Sequence, residues 1–355
     1  MDDDCDLYTD EGVLTMGTSV TTVPGVVAWE VRAAWHPTRN EMAIVYGDGM
    51  PSSTGGRFYV VRATLTGTVI GTPTLIDSNA RDWDVAFDGT HYSVAYTSGG
   101  MVTANPYLTR VNAATGALGA GIVVDSISSG DGARRIAIAR VGTANQVVGV
   151  WVEPGSSSQS AAARLVDTPP AVSSATLLGG VVTLESSGGG SRFMDWPIAT
   201  VTESGAMIGY AHLRTSGGNS NIALHSVTAG FISALSNTIA NDIYSEEQLS
   251  ITSNRSGTLG LAYTKRDLAM GRPVDTVLNG VATSTFMELG ERSLGLTSSD
   301  VSIAFGADDT FAVLTSEVAD SRARRFRSTD LSPLPETSPL FETTQFLMGV
   351  GGTHS

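Results

Sequence analysis

Trp83-Asp84-Val85-Ala86-Phe87-Asp88-Gly89-Thr90-His91-Tyr92-Ser93-Val94-Ala95-Tyr96 is the stretch that decides the fold. Two short alternating runs flank Asp88-Gly89, a dipeptide suited to a type I′ hairpin turn because both central positions of that turn need positive φ. The end of the stretch, apolar-apolar-aromatic or close to it, recurs along the chain. Its copies are Ile44-Val45-Tyr46, Val94-Ala95-Tyr96, Gly149-Val150-Trp151, Ile208-Gly209-Tyr210, Leu261-Ala262-Tyr263 and a degenerate Ala312-Val313-Leu314. The intervals between third positions are 50, 55, 59, 53 and 51 residues. A near-constant period in this range marks a repeat architecture.

Beyond Tyr96, residues 107–112 read as a third strand, Ala113-Ala114-Thr115-Gly116 turns the chain, and residues 121–125 form a fourth strand. The first copy follows the same plan at 33–36, 41–47, 57–65 and 74–77. Four antiparallel strands per repeat make one blade of a β-propeller, and a turn every ~8–12 residues is the all-β signature. No long window sustains a 3.6-residue apolar stripe, so little helix is expected. The predicted fold is all-β: a six-bladed β-propeller of four-stranded antiparallel blades, spanning residues 11–350 as one domain. Blades are expected near 29–78, 79–128, 129–180, 181–241, 242–290 and 291–341. Gly12-Val13-Leu14-Thr15-Met16-Gly17 or the stretch 341–350 would complete a terminal blade and close the ring, removing its free edges. Residues 1–10, an acidic tail, and 351–355 are expected to be flexible.

Forty glycines in 355 residues suit many tight turns. A net charge of −14 argues against nucleic acid as a partner, since that affinity needs basic patches that release counterions. No run of ~18 apolar residues is present, so no membrane span is expected. Cys5 is the single cysteine, which leaves no intrachain disulfide framework; it reads as a thiol in an acidic tail, with a lipid anchor as the alternative. The start of the chain lacks the basic and apolar regions of a signal peptide. It fits a cytosolic protein, or a secreted one whose signal lay upstream. Lys265 is the one lysine among 21 basic residues, a bias that reads as genome composition. Arg322, Arg324, Arg325 and Arg327 alternate along a strand and read as a solvated edge.

The string Phe87-Asp88-Gly89-Thr90-His91-Tyr92-Ser93-Val94-Ala95-Tyr96 resembles the blades of secreted bacterial β-propeller repeat proteins, many of them uncharacterised. The likeness is close for the second blade, fair for the first, fifth and sixth, and poor for the third and fourth. It implies an extracytoplasmic protein that displays a binding surface, and it transfers no catalytic residue. Ser253-Asn254-Arg255-Ser256-Gly257-Thr258 is similar to the Ser-x-Asp-x-Gly-x-Thr turn of sialidase-type propellers, although Asn254 stands near the Asp position and the spacing to Gly257 is off.

The innermost strands of a propeller line its channel. Aligning them on Trp35, Phe87, Arg140, Thr200, Thr252 and Phe305, and counting back five, gives Glu30, Asp82, Arg135, Asp195, Glu247 and Asp300. Five carboxylates and one arginine would then ring one channel mouth, with Arg32 and Asp84 one layer deeper and Ala34, Ala86, Ala139, Ala199 and Ala304 deeper still. Like charges at close range need a cation, an arginine or a shared proton. Glu30, Asp82, Asp195, Glu247 and Asp300 are therefore candidate ligands of a divalent cation such as calcium. Asp82, Asp195 and Asp300 are the candidates for a glycosidase acid/base pair. The third reading is solvated loop residues that bind nothing.

Trp83 and Trp196 each adjoin a ring carboxylate and would flank a pocket, which adds them and Asp84 to the ligand-binding candidates with Arg135. Trp35 and Trp151 read as core. His36, His91, His212 and His225 show no metal-ligand spacing, and His91, after a turn, reads as a surface residue. No Gly-x-Ser-x-Gly elbow and no phosphate loop is present. The missing motifs favour a non-enzymatic extracellular or cell-surface module presenting loops to a glycan or protein. The alternative is a carbohydrate-active enzyme, a glycoside hydrolase or lyase, using the mouth carboxylates. The sequence says nothing of oligomeric state.

Overall fold

The computed structural model describes residues 28–48, 56–64, 66–100, 103–127, 132–154, 159–171, 174–186, 194–213, 220–239, 245–267, 272–295, 300–306, 309–317 and 320–334. At 28–30, 154, 194–196, 211–213, 220, 245–247, 300, 316–317 and 320–323 only the backbone is described. Every regular element among these residues is a strand, as the period-2 patterning dictates. The closure segments, Cys5 and both tails lie outside the described residues.

The first sheet holds β1 (Ala28–His36), β2 (Glu41–Asp48), β3 (Gly56–Thr64), β4 (Val69–Phe87), β5 (His91–Ser98), β6 (Asn105–Asn112) and β7 (Ile122–Val123) in sequence order. The second holds β8 (Arg134–Arg140), β9 (Gln146–Pro154), β10 (Gln159–Asp167) and β11 (Thr176–Ser186). In the third, β12 (Met194–Val201), β13 (Ala206–Leu213) and β14 (Ser220–Thr228) are followed by β15 (Phe231–Ile232) and β16 (Asn237–Ile239), both paired to β14. The fourth has β17 (Ser245–Ser253), β18 (Thr258–Asp267), β19 (Arg272–Ala282) and β20 (Glu288–Ser293); the fifth has β21 (Asp300–Phe305), β22 (Thr310–Glu317) and β23 (Asp320–Arg327). All pairings are antiparallel.

Five sheets, rather than six separate four-stranded ones, carry the six repeats because the first two repeats share β4. This 19-residue strand pairs with β3 through its first part and with β5 through its last. Position 78, a boundary in the sequence reading, lies within it. No Gly or Pro interrupts Asp77-Ser78-Asn79-Ala80, and Asp77 Oδ1 accepts from Asn79 N (2.6 Å) and Ser98 Oγ (3.1 Å) across the handover.

The lead strands β1, β4, β8, β12, β17 and β21 pack one against the next. The apolar cores lie between successive repeats. Phe58, Trp83 and Tyr96 share the first such core; Leu108, Ile138 and Trp151 the second; Val150, Ala163 and Tyr210 the third; Leu224, Ile251 and Tyr263 the fourth; and Leu278, Ile303 and Phe311 the fifth. In the second to fifth repeats the recurring aromatic, Tyr96, Trp151, Tyr210 or Tyr263, thus points back at the preceding repeat, and burying it contributes about 1.5–3 kcal/mol. Gly47 is required on this account, because a Cβ there would overlap the Trp83 ring.

Polar groups fasten the same seams. Asp84, buried, accepts from Val85 N (2.9 Å) and from Ile138 N (2.9 Å) of the next lead strand, and Ser250 Oγ does the same for Ile303 N (3.2 Å). Arginines donate across the seams to carbonyls: Arg62 to Ala113 (2.5 Å), Arg110 to Pro169 (2.9 Å), Arg164 to Val124 (2.7 Å) and Arg324 to Leu294 (2.6 Å). The arginine bias is therefore put to chemical use, and Arg324 is a clasp rather than part of a solvated edge.

The hairpin between β4 and β5 differs from the expected turn. Positive φ occurs at Gly89 (107°) and not at Asp88, and Asp88 N bonds to His91 O, so the central pair is Gly89-Thr90. Asp88 secures this turn: its Oδ1 accepts from the backbone N–H of Thr90 (3.0 Å) and His91 (2.8 Å). Its Oδ2 accepts from Ser93 Oγ (2.8 Å) and Arg110 Nε (2.8 Å), a pair with no exposed side-chain surface. Asn254 caps the β17–β18 turn in the same manner, accepting from Ser256 N (2.9 Å) and Thr258 N (2.8 Å). Removing one partner of the Asp88–Arg110 pair strands a buried charge. Arg110→Met is expected to lower stability by about 3–5 kcal/mol in equilibrium urea unfolding, and Arg110→Lys to lower it less.

Candidate functional site

The leading ends of the lead strands share a distortion. Register breaks between Trp29 and Arg32 in β1, Ala80 and Trp83 in β4, Arg134 and Ile136 in β8, Asp195 and Ile198 in β12, and Glu247 and Ser250 in β17. Each break inserts one extra residue, a β-bulge; β21 has none among its described pairs. Arg135 (φ 47°) and Gln248 (φ 54°) adopt left-handed backbone there. Bulges concentrate at rims and beside active sites because they re-aim side chains.

The residues singled out from sequence fall on this rim. Glu30, Asp82 and Arg135 lie inside their bulges, while Asp195 and Glu247 stand directly before theirs, opposite Ala211 and Thr264. Asp300 pairs with Ser316, one step further toward the strand's start relative to the recurring position. Counted from the recurring aromatic, Ala34, Ala86 and Ala139 share one level, which Thr200 and Phe305 hold in the fourth and sixth repeats, with Ala199 and Ala304 one step away. The two halves of the sequence alignment are thus offset by one residue.

The side chains of Glu30, Asp195, Trp196, Glu247 and Asp300 lie outside the described residues. Asp82 is half-buried, with no hydrogen-bonding partner among the described residues, and Arg135 is exposed. Trp83 does not flank a pocket: it is 3% exposed and stacks on Phe58 at 4.7 Å, so its apolar area stabilises the seam between the first two repeats. Asp84 likewise spends both oxygens on backbone N–H groups, and its place is in the seam rather than among ligand contacts. Among the described residues no three His, Cys, Asp or Glu side chains come together as metal ligands.

Two histidines do more than sequence spacing suggests. His91 is buried rather than on the surface, and Arg110 Nη2 lies 3.0 Å from its Nδ1; since arginine only donates, that nitrogen is an acceptor. Burial and then the Arg110 charge push its pKa below the usual histidine value. His225 is buried against Tyr210, a contact no local motif announces because the partners are brought together by strand pairing.

No protein family and no curated protein matches the chain. Solved structures do. A protein from Bacteroides uniformis named as a candidate 6-phosphogluconolactonase aligns at TM-score 0.54 and 10% identity, over 85% of this chain and 82% of its own. The α-L-arabinofuranosidase Arb93A of Fusarium graminearum aligns at 0.54 and 8%, over 88% and 96%. The polysaccharide lyase Uly1 aligns at 0.52 and 9%, over 85% and 80%. At such identities the likeness shows the fold, a propeller-type array of antiparallel sheets. The expectation of a non-enzymatic module is overturned, because these structural neighbours are named as enzymes, two of them carbohydrate-active.

Trp83→Ala is expected to cost about 3–5 kcal/mol in chemical unfolding, as for a core aromatic, with no separate effect on ligand binding in the folded fraction.

Proposed function

We propose that this chain is a carbohydrate-active enzyme, in the first place a glycoside hydrolase, built on a closed six-bladed β-propeller and working outside the cytoplasm at one mouth of its channel. The observation that carries the reading is the bulged rim, where the leading ends of the lead strands bear Glu30, Asp82, Asp195, Glu247 and Asp300. The enzyme names of the structural neighbours support it. The continuous β4 accounts for six blades in five sheets: its first part is the outer strand of one blade and its last part the inner strand of the next.

Glycoside hydrolysis needs one carboxyl to protonate the leaving oxygen and one carboxylate to act as base or nucleophile across the scissile bond. Asp82, Asp195 and Asp300 are assigned to that pair, and Glu30, Glu247 and Arg135 to holding the glycan. Asp82 suits a chemical role because no structural bond among the described residues consumes its carboxylate. Elimination from a uronate chain is the second reading, with Arg135 positioned to neutralise the substrate carboxylate.

A panel of polysaccharides tests this, with reducing ends reporting hydrolysis and ultraviolet absorbance of the unsaturated product reporting elimination. Activity is expected to follow a bell-shaped pH profile and to fall by about 10²–10⁴-fold in Asp195→Asn or Asp82→Asn, with unfolding midpoints unchanged. Turnover that survives both substitutions would remove these residues from the catalytic pair.

A further inference from the structure

At the seam between the third and fourth repeats, Tyr210 Oη lies 3.0 Å from His225 Nε2 and 3.2 Å from Glu185 Oε2. His225 Nδ1 lies 2.9 Å from the carbonyl of Ser233. Tyr210 and His225 are fully buried, their rings stacked at 5.6 Å, while Glu185 at the end of β11 is half-exposed. A carbonyl only accepts, so Nδ1 carries a hydrogen. The tyrosine hydroxyl has one hydrogen and two claimants. With neutral His225 it donates to Nε2, and no hydrogen remains for the contact with an ionised Glu185. With one added proton, Nε2–H donates to the tyrosine oxygen and the hydroxyl donates to Glu185, so both bonds are made.

We propose that Glu185, Tyr210 and His225 form a one-proton switch across this seam, with the Tyr210 hydroxyl turned to His225 when the proton is absent and to Glu185 when it is present. The proton enters at the half-exposed carboxyl. It passes from Glu185 to the tyrosine oxygen while the tyrosine hydrogen passes to Nε2, which leaves Glu185 ionised and His225 an imidazolium. Glu185 is the charged group acting on both buried partners. Apolar residues of the same seam, among them Val152, Ala161, Leu184, Ile208 and Ala223, surround the pair, and Glu153 on β9 is engaged by Trp151 (2.7 Å) and Ser160 (3.3 Å).

The fifth repeat offers an internal control. Tyr263, at the same position, donates to Glu291 (3.0 Å), whose other oxygen accepts from Lys265 (2.8 Å). There the hydroxyl donates to a carboxylate that a lysine also supports, and lysine ordinarily keeps its proton through the neutral range. The fourth repeat puts a titratable base on its tyrosine instead.

Burial lowers the His225 pKa, against smaller opposite effects from the Ser233 carbonyl and Glu185. The folded state then binds fewer protons here than the unfolded chain, so stability is full above about pH 6.5 and is lost as pH falls below it. Glu185→Gln separates the switch from a fixed contact, since its amide can donate to the tyrosine oxygen without an added proton. At pH 8 this variant is expected to melt about 1–2 °C above the natural chain, and Glu185→Ala at or below it. The gain should vanish in a Tyr210→Phe background, and the loss toward pH 5 should steepen in Glu185→Gln because the carboxylate no longer supports the imidazolium. Nitrogen NMR of His225 at pH 8 should show Nδ1 protonated and Nε2 bare. A protonated Nε2 at pH 8, or a Glu185→Gln gain that persists without the Tyr210 hydroxyl, would overturn the proposal.

Discussion

A four-stranded sheet with apolar side chains on both faces cannot be stable alone, because each face must be removed from water by another layer. Here the second to fifth repeats meet that requirement by lying between two others. The recurring aromatic packs into the core behind it, as Tyr96, Trp151, Tyr210 and Tyr263 show, while the small residue before it, Ala95 or Ala262, belongs to the core ahead. A bulky side chain in one seam facing a small one in the other explains the apolar-small-aromatic signature. Stability is therefore spread over seams between repeats rather than gathered in one central core.

Burying these seams also buries polar groups, which cost free energy unless they find partners. The chain meets this with long-reaching donors. Arg62, Arg110, Arg164 and Arg324 each span a seam to a backbone carbonyl, and the fork of Arg110 serves Asp88 as well as Pro169. Lysine offers no planar fork, which gives a physical use to a composition so poor in it. Asp84 and Ser250, in equivalent places on their lead strands, serve the same end from the acceptor side.

With the seams fixed in this way, the leading ends of the lead strands are free to carry chemistry. A bulge releases one residue from the ladder without disturbing the pairing beyond it. In three of the six repeats the bulge holds a residue of the proposed glycan site, Glu30, Asp82 or Arg135, and in two more it directly follows one, Asp195 or Glu247. The opposite ends, where the hairpins turn, are tied down by Asp88 and Asn254 bonding their own turns, and these read as structural.

The repeat period, the strand pattern and the identity of the seam aromatics were legible in the sequence, because alternation and turn chemistry act over a few residues and recur. The alignment that put Glu30 to Asp300 on one level slips by one residue between its two halves, because bulges cannot be counted from sequence. The sequence could not place Trp83 or Asp84, since a residue beside a rim carboxylate reads alike whether its neighbour is water or the next sheet. It could not show that β4 serves two repeats, that five bulges shift the register, or that Glu185 and His225 meet at Tyr210. Those facts depend on which strand lies against which, from the 15 residues between Tyr210 and His225 to the 54 between Asp84 and Ile138, and only the packed sheets decide them.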